Sequence, residues 1–240
     1  MKRIAYVIAD DLLHSYKRYR DVISGMFDAN EWSVVVLKSF ADVCCMISAP
    51  DLIVSFKDSR DNWRLETPNI YEDPMTYKLA DFVTKDGCGY IAVHAGVLNL
   101  PDNHPLYTAV LKGKADAGEN TPVFKSNLLF GRIPNTNPFG TFADVTFTPE
   151  CVHPVLEGVK EFTSRDEQLD VKFAAPEKVD VIGYVSSEAA GKTPAVWVTE
   201  AGKGRAVGIS MGHLPDTLSN ENMLKLLKNA VAYCSTDKGE

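Results

Sequence analysis

The first 95 residues alternate short, uninterrupted apolar stretches with segments of helical periodicity. Residues 2–9, 32–37, 51–56 and 90–95 are predicted strands, and residues 15–29, 41–48 and 74–85 are predicted helices, with Ser15 as the N-cap of the first helix. Strands that are apolar along their whole length are typical of a sheet covered on both faces. The alternation therefore predicts an α/β fold with a mostly parallel central sheet between helices.

The second half of the chain is less regular at first and then rich in strands. Residues 99–137 contain four prolines and little periodicity, which is typical of an active-site loop or a surface excursion. Residues 142–147, 168–173 and 179–186 are predicted strands, residues 195–199 and 205–211 a hairpin, and residues 220–233 a closing amphipathic helix. No linker or repeat interrupts this pattern, so residues 1–240 are interpreted as one domain.

The composition narrows the classes of partner. A net charge of −7 and a pI near 5.3 argue against nucleic acid and against an anionic membrane surface. No apolar run approaches the roughly 18 residues that cross a bilayer. Five cysteines without a Cys-x-x-Cys spacing indicate neither a disulfide framework nor a zinc knuckle, and predict reduced thiols in the cytoplasm.

Histidines follow several of the predicted strands. In an open parallel sheet, ligands bind at the carboxyl ends of the strands. The first strand leads to Asp10 and His14, the fourth ends in His94, and the second strand of the hairpin leads to His213. Because imidazole exchanges protons near neutral pH, these side chains are candidates for acid–base catalysis. Gly96, two residues after His94, is expected to relieve a crowded turn beside a ligand.

The sequence gives only weak evidence for a metal site or for other catalytic motifs. The charged segment 164–167 (SRDE) is interpreted on local grounds as a solvated loop. Histidines and carboxylates can bind zinc, but no closely spaced pair of ligands is present, so no cofactor is certain and zinc stays one option. The chain has no GxSxG elbow, no GxxxxGK[ST] loop and no GxGxxG fingerprint.

Three segments together carry a family resemblance. They are GCGYIAVHAG at 87–96, HPVLEGVKEFTSRDE at 153–167 and TPAVWVTEAGKGRAVGISMGH at 193–213. Their order and spacing resemble the ThuA-like (trehalose utilisation) family, within the class I glutamine amidotransferase-like superfamily. The resemblance implies a flavodoxin-like, three-layer α/β/α sandwich with a C-terminal hairpin.

The resemblance also implies which reaction to exclude. In true amidotransferases the turn after this strand carries a cysteine nucleophile, and here His94 takes its place. Cys88 lies six residues earlier, and His213 is followed by Leu-Pro-Asp instead of a glutamate two residues later. Glutamine hydrolysis needs a thiolate, so glutaminase activity is not expected.

What the resemblance implies about function is a role in the use of trehalose or a related disaccharide. We expect His94, His213 and Glu167 as the catalytic groups, with His14, Asp10, Gly96 and Arg132 binding a small-molecule ligand, a sugar. Arg132 lies in the segment 129–135, which is only loosely similar to a glycine-rich segment of the family and lacks the histidine that follows it there. Two alternatives stay open, a non-catalytic ligand-binding or regulatory module and a zinc-dependent hydrolase. A homodimer is an option for an apolar-rich domain of this size.

Overall fold

A computed structural model describes residues 2–11, 14–58, 74–115 and 141–236. These residues build one nine-stranded sheet with the strand order β2-β1-β3-β4-β11-β10-β9-β6-β7, and a small two-stranded sheet, β5-β8. The strands are β1 (Arg3–Ile8), β2 (Trp32–Leu37), β3 (Leu52–Ser55), β4 (Gly89–Val93), β5 (Gly113–Ala115), β6 (Thr141–Pro149), β7 (Phe162–Gln168), β8 (Val171–Phe173), β9 (Asp180–Ser187), β10 (Gly191–Ala201) and β11 (Gly204–Ile209).

The half of the large sheet that comes from the N-terminal residues is parallel, as predicted. β1 pairs with β2 and β3, and β4 pairs with β3 and β11, all in parallel. The predicted bounds of the first four strands agree with the structure to within one or two residues. Five carboxyl ends therefore lie along one edge of the sheet, where the loops can bring distant residues together.

The other half of the sheet is antiparallel and begins at the predicted hairpin. β10 pairs with β11 and β9, and β6 pairs with β9 and β7. The α/β fold class is therefore confirmed, and the parallel half continues into antiparallel strands beyond β11.

Helices cover both faces of the sheet. They are α1 (Tyr16–Met26), α2 (Phe40–Cys44), α3 (Tyr77–Thr84), α4 (Pro215–Ser219) and α5 (Glu221–Ser235). One core cluster joins the apolar sides of α1 and α5 to one face of the sheet, and a second joins α2 and α3 to the other face. This is the three-layer arrangement that the sequence predicts.

Trp197, from the third family segment, anchors the second core cluster. Its indole is fully buried, and its Nε1–H donates to the carbonyl of Leu111 at 2.9 Å. A Cβ on Gly208 would lie 2.1 Å from this ring, and a Cβ on Gly113 would lie 2.8 Å from it. Gly208 and Gly113 thus leave the space that the large Trp197 side chain fills in this core cluster.

Some local predictions are wrong. The segment 164–167 is part of strand β7, with Asp166 and Glu167 buried, so it is not a solvated loop. The predicted strand 168–173 consists of the last residue of β7 and the separate strand β8. The prediction missed this boundary because β7 contains polar residues and lacks an apolar pattern. Ser15 does precede α1, but its side chain makes no capping hydrogen bond.

The irregular region 99–115 contains more structure than its sequence predicts. It holds one π-helical segment, Leu106–Leu111, and the short strand β5. Most of the remaining predicted loop, including Arg132, lies outside the described residues. Within the described ranges, no helix is both long enough and apolar enough to cross a membrane.

Candidate functional site

The structure brings three histidines from distant loops to one point at the carboxyl edge of the sheet. His213 Nδ1 lies 2.9 Å from His94 Nε2 and 3.3 Å from His14 Nε2. One ring nitrogen from each of the three histidines lies within 4.8 Å of the other two. The sequence predicts a histidine at or just past the end of each of these strands, and the structure brings the three side chains together.

Glu167 completes this group. Its Oε2 lies 2.9 Å from His213 Nδ1 and 3.3 Å from His94 Nε2. Three strands separate β7 from β11 in the sheet order, and the loop after β11 reaches β7, where the N–H groups of Gly212, His213 and Leu214 bind Asp166. We call His14, His94, His213 and Glu167 the histidine–glutamate site.

His94 is held by an unusual backbone. It follows β4 directly and has φ of +44°, in the left-handed region that a residue with a side chain seldom adopts. Its Nδ1 lies 3.1 Å from the carbonyl oxygen of Ser210, at the end of β11. Gly96 packs this turn against β3, since a Cβ there would lie 2.3 Å from the carbonyl oxygen of Ser55. The backbone thus fixes the direction in which the imidazole points.

His14 is fixed by Asp11. The carboxylate of Asp11 lies 2.9 and 3.0 Å from His14 Nδ1 and also accepts the backbone N–H of His14 at 2.7 Å. The same carboxylate accepts the backbone N–H of Asp58, so it ties the loops after β1 and β3 together. This leaves His14 Nε2 to face the other histidines.

His213 is positioned through its backbone. The buried carboxylate of Asp166 accepts the N–H groups of Gly212, His213 and Leu214 at 2.7, 3.0 and 2.9 Å. Gly212 has φ of +108°, which accounts for the glycine before this histidine. Arg18 donates to the carbonyl of His213 at 3.0 Å, so helix α1 supports the same loop.

Access to the site is through His213. His94 is fully buried and His14 is 2% exposed, whereas the side chain of His213 is 14% exposed. The ring of Phe142, itself on the surface, lies 5.1 Å from the His213 ring in an edge-on arrangement. A ligand from solvent therefore meets His213 and Phe142 first.

The electrostatics of the site differ from one histidine to the next. Burial lowers the pKa of His14 to about 4, although Asp11 opposes this effect. Burial also lowers the pKa of His213, aided by the charge of His94. For His94 the hydrogen bond and negative charge of Glu167 outweigh burial, and its pKa is raised. Burial acts to raise the pKa of Glu167, but the two histidines hold it well below its usual range.

The predicted binding residues Asp10 and Gly96 lie beside the site and do not point into it. The Asp10 side chain accepts the N–H of Tyr16 at 3.1 Å and lies 3.5 Å from Lys38. Gly96 serves the turn after His94, as described above. Asp11 and Asp166, which orient His14 and His213, were not predicted. The only indication of them in the sequence is their position, since Asp11 directly follows Asp10 and Asp166 directly precedes Glu167.

Comparisons with known proteins agree with this description. A family model described as "ThuA: Trehalose utilisation" matches residues 27–234. A ThuA-like protein from Parabacteroides merdae has a TM-score of 0.68 at 16% identity, with 100% of this chain and 93% of that chain covered. A ThuA-like protein from Bacteroides uniformis has a TM-score of 0.57 at 15% identity, covering 99% and 93% of the two chains.

The fold also resembles part of a larger enzyme. A cold-adapted β-galactosidase from Rahnella sp. R3 has a TM-score of 0.56 at 13% identity, over 97% of this chain but 31% of that one. No curated protein matches the sequence. At these identities the structural likenesses concern the fold alone, whereas the family model spans most of the sequence. The chain belongs to the ThuA family.

Proposed function

We propose that this protein is a metal-dependent enzyme of carbohydrate use, whose divalent ion binds at the histidine–glutamate site. The observation that carries the proposal is the convergence of three imidazole nitrogens and one carboxylate oxygen on one point.

In His94 and His14, the hydrogen-bond partner of Nδ1 determines that this nitrogen carries the hydrogen and that Nε2 carries the lone pair. The carbonyl oxygen of Ser210 can only accept, so His94 Nδ1 carries a hydrogen and the Nε2 lone pair of the neutral ring faces the site. The Asp11 carboxylate likewise fixes the hydrogen of His14 on Nδ1. Histidines that bind metals are held in this way, by a carboxylate or carbonyl on the far nitrogen.

The converging atoms need a positive charge between them. When both rings are neutral, the lone pairs of His14 and His94 point at His213 Nδ1, and the Glu167 carboxylate lies on the same nitrogen. These acceptors would repel one another without a proton or a cation to share. A divalent ion satisfies all four groups at once, whereas a single proton joins only two of them.

The donor set and its spacing fit zinc or a similar first-row ion. Imidazole and carboxylate are common zinc ligands. Zinc bonds of roughly 2.0–2.1 Å put neighbouring ligands of a tetrahedron about 3.3 Å apart. Four of the six separations among these atoms are 2.9, 3.3, 2.9 and 3.3 Å, and the three histidine nitrogens all lie within 4.8 Å of one another. Only small side-chain movements are therefore needed to hold the ion.

This role differs from the acid–base role expected for His94. A fully buried imidazole does not reach a substrate in the solvent-facing space, but it can bind an ion from the side of the protein interior. When bound, the ion would polarise an oxygen atom of the substrate. His213 and Phe142 would meet the substrate at the open side, where the aromatic ring offers an apolar surface to a sugar.

The substrate class rests on the family. The description "Trehalose utilisation" supports a disaccharide such as trehalose, or a derivative of one. A non-catalytic sugar-binding module is the second candidate, because the same fold makes up about a third of the Rahnella β-galactosidase chain. The two candidates differ in whether sugar is converted.

Metal content tests the first part of the proposal. Untagged protein, loaded with zinc and freed of excess by gel filtration, should contain about one zinc ion per chain by elemental analysis. His94→Ala and Glu167→Gln should lose most of this zinc, while His153→Ala, a histidine in the loop before β7, should retain it. Wild-type protein without bound zinc under these conditions would refute the metal site.

Turnover tests the second part. Trehalose and other disaccharides are incubated with zinc-loaded, chelator-treated and His94→Ala protein, and the sugars are followed by proton NMR. The enzyme proposal predicts conversion by the zinc-loaded wild type alone. If zinc is bound and a disaccharide raises the melting temperature without being converted, the binding module is the correct interpretation.

A further inference from the structure

Tyr19 carries a buried hydroxyl near the histidine–glutamate site that has no hydrogen-bond partner among the described residues. The residue lies on α1 and is fully buried. Within the part of the chain that the structure describes, its Oη has no hydrogen-bond partner. Leaving a buried hydroxyl unsatisfied is costly, so such a group in a folded protein usually has a water molecule or a ligand as its partner.

The surroundings of Tyr19 indicate where that partner lies. The Tyr19 ring packs on Phe56 with 4.7 Å between centroids, and its centroid is 6.4 Å from that of His14. Burial raises the pKa of Tyr19 well above its usual range, and the negative charges of Asp11, Asp166 and Glu167 add to this effect. These three carboxylates therefore act on the hydroxyl through their charge, and no hydrogen bond joins it to any of them within the described residues.

These carboxylates already have other polar neighbours. Asp11 is bound to His14 and to the N–H of Asp58, and Asp166 accepts three backbone N–H groups. Glu167 lies against His94 and His213. The hydroxyl is thus the polar group near the site that lacks a described protein partner.

We infer that the Tyr19 hydroxyl donates a hydrogen bond to a water molecule that completes the ligand shell of the ion at the histidine–glutamate site. Tyr19 is then a positioning residue, which acts on the ion through this water. The inference rests on the proposed metal site and adds a residue to it. A phenol suits this position because its apolar ring packs in the core while its hydroxyl reaches a polar partner.

The test compares zinc affinity in variants that differ by one hydroxyl. Competition with a chromophoric chelator gives the zinc dissociation constant of the wild type, of Tyr19→Phe and of the control Tyr233→Phe on α5. Outer partners of metal sites change affinity by about 10–100-fold. We expect Tyr19→Phe to bind zinc about tenfold more weakly, and Tyr233→Phe to bind it as the wild type does.

Two further measurements separate this role from a structural one. Without metal, Tyr19→Phe should be no less stable to urea than the wild type, because it removes a hydroxyl that has no protein partner. The visible absorption spectrum of the cobalt-substituted protein should change in Tyr19→Phe and not in Tyr233→Phe, since it reports the ligands of the ion.

The outcomes distinguish this inference from the proposal beneath it. Wild-type protein that binds no zinc overturns the proposed metal site and this inference with it. Zinc binding by the wild type together with an unchanged affinity and cobalt spectrum in Tyr19→Phe overturns the role of Tyr19 alone. A loss of metal-free stability in Tyr19→Phe would also overturn it, because the hydroxyl would then have a partner in the protein.

Discussion

The burial of His14 should make the metal-free protein sensitive to acid. The unfolded chain binds a proton on this histidine near the ordinary pKa of 6.5, whereas burial lowers the pKa in the folded protein to about 4. Between these two values the unfolded state holds a proton that the folded state does not. The free energy of unfolding therefore falls as the pH falls through this window, and is unaffected by His14 above it.

The size of the effect follows from the two pKa values. Each pH unit across the window is worth about 1.4 kcal/mol. Between about pH 7 and about pH 4.5, His14 should therefore lower the free energy of unfolding by about 2 kcal/mol. His94 acts in the opposite direction, because its raised pKa gives stability that is present at low pH and lost as the pH rises. Comparing two proteins that both contain His94 removes most of this second contribution.

Urea unfolding of chelator-treated protein at the two pH values measures the effect. The variant His14→Gln lacks the titrating group, so its stability should change with pH by about 2 kcal/mol less than that of the wild type. His153→Gln, at a partly exposed histidine, should show a smaller change. Equal pH slopes for the wild type and His14→Gln would refute the reasoning, because a neutral, buried imidazole cannot be without effect in this window.

Three substitutions test the supports of the site. Gly96→Ala places a methyl group on a carbonyl of β3 and should cost about 3 kcal/mol or more in urea unfolding, while Gly25→Ala, which meets only a leucine side chain, should cost less than about 1 kcal/mol. Asp166→Asn should weaken zinc binding about tenfold in chelator competition, since the loop that carries His213 loses its carboxylate anchor, whereas exposed Asp144→Asn should not. Because φ of His94 is +44°, His94→Gly should be about 1 kcal/mol more stable than His94→Ala by thermal unfolding, and the reverse order would contradict strain there.

The parts of the fold that could be predicted are those that local patterns determine. The central strands β3 and β4 are apolar on both faces and fully buried, so their sequences differ sharply from the loops between them. β7 could not be recognised in the same way. Its buried carboxylates, Asp166 and Glu167, are stable in a strand only because backbone N–H groups and histidines from other elements bind them.

The candidate site was predictable in its residues and not in its chemistry. The sequence predicts histidines at the ends of β4 and β11 and in the loop after β1, and a parallel sheet brings such ends to one edge, but the sequence alone does not show that the three side chains meet. Which ring nitrogen faces inward depends on Asp11 and on the carbonyl of Ser210, and neither contact follows from sequence spacing. The absence of a closely spaced ligand pair in the sequence is therefore no argument against the metal site proposed above.

The position of His94 suits the proposed role of a metal ligand better than that of a nucleophile. A nucleophile must be exposed so that it reaches the substrate, but His94 is fully buried and its outer nitrogen faces a carbonyl. The same left-handed turn directs the inner nitrogen at His213 and Glu167. Strain of this kind persists only where the surrounding contacts hold it. His213 is the most exposed of the three histidines in the site, so the proposed metal site predicts that a substrate would approach on the His213 side, with His94 as a ligand from the protein interior.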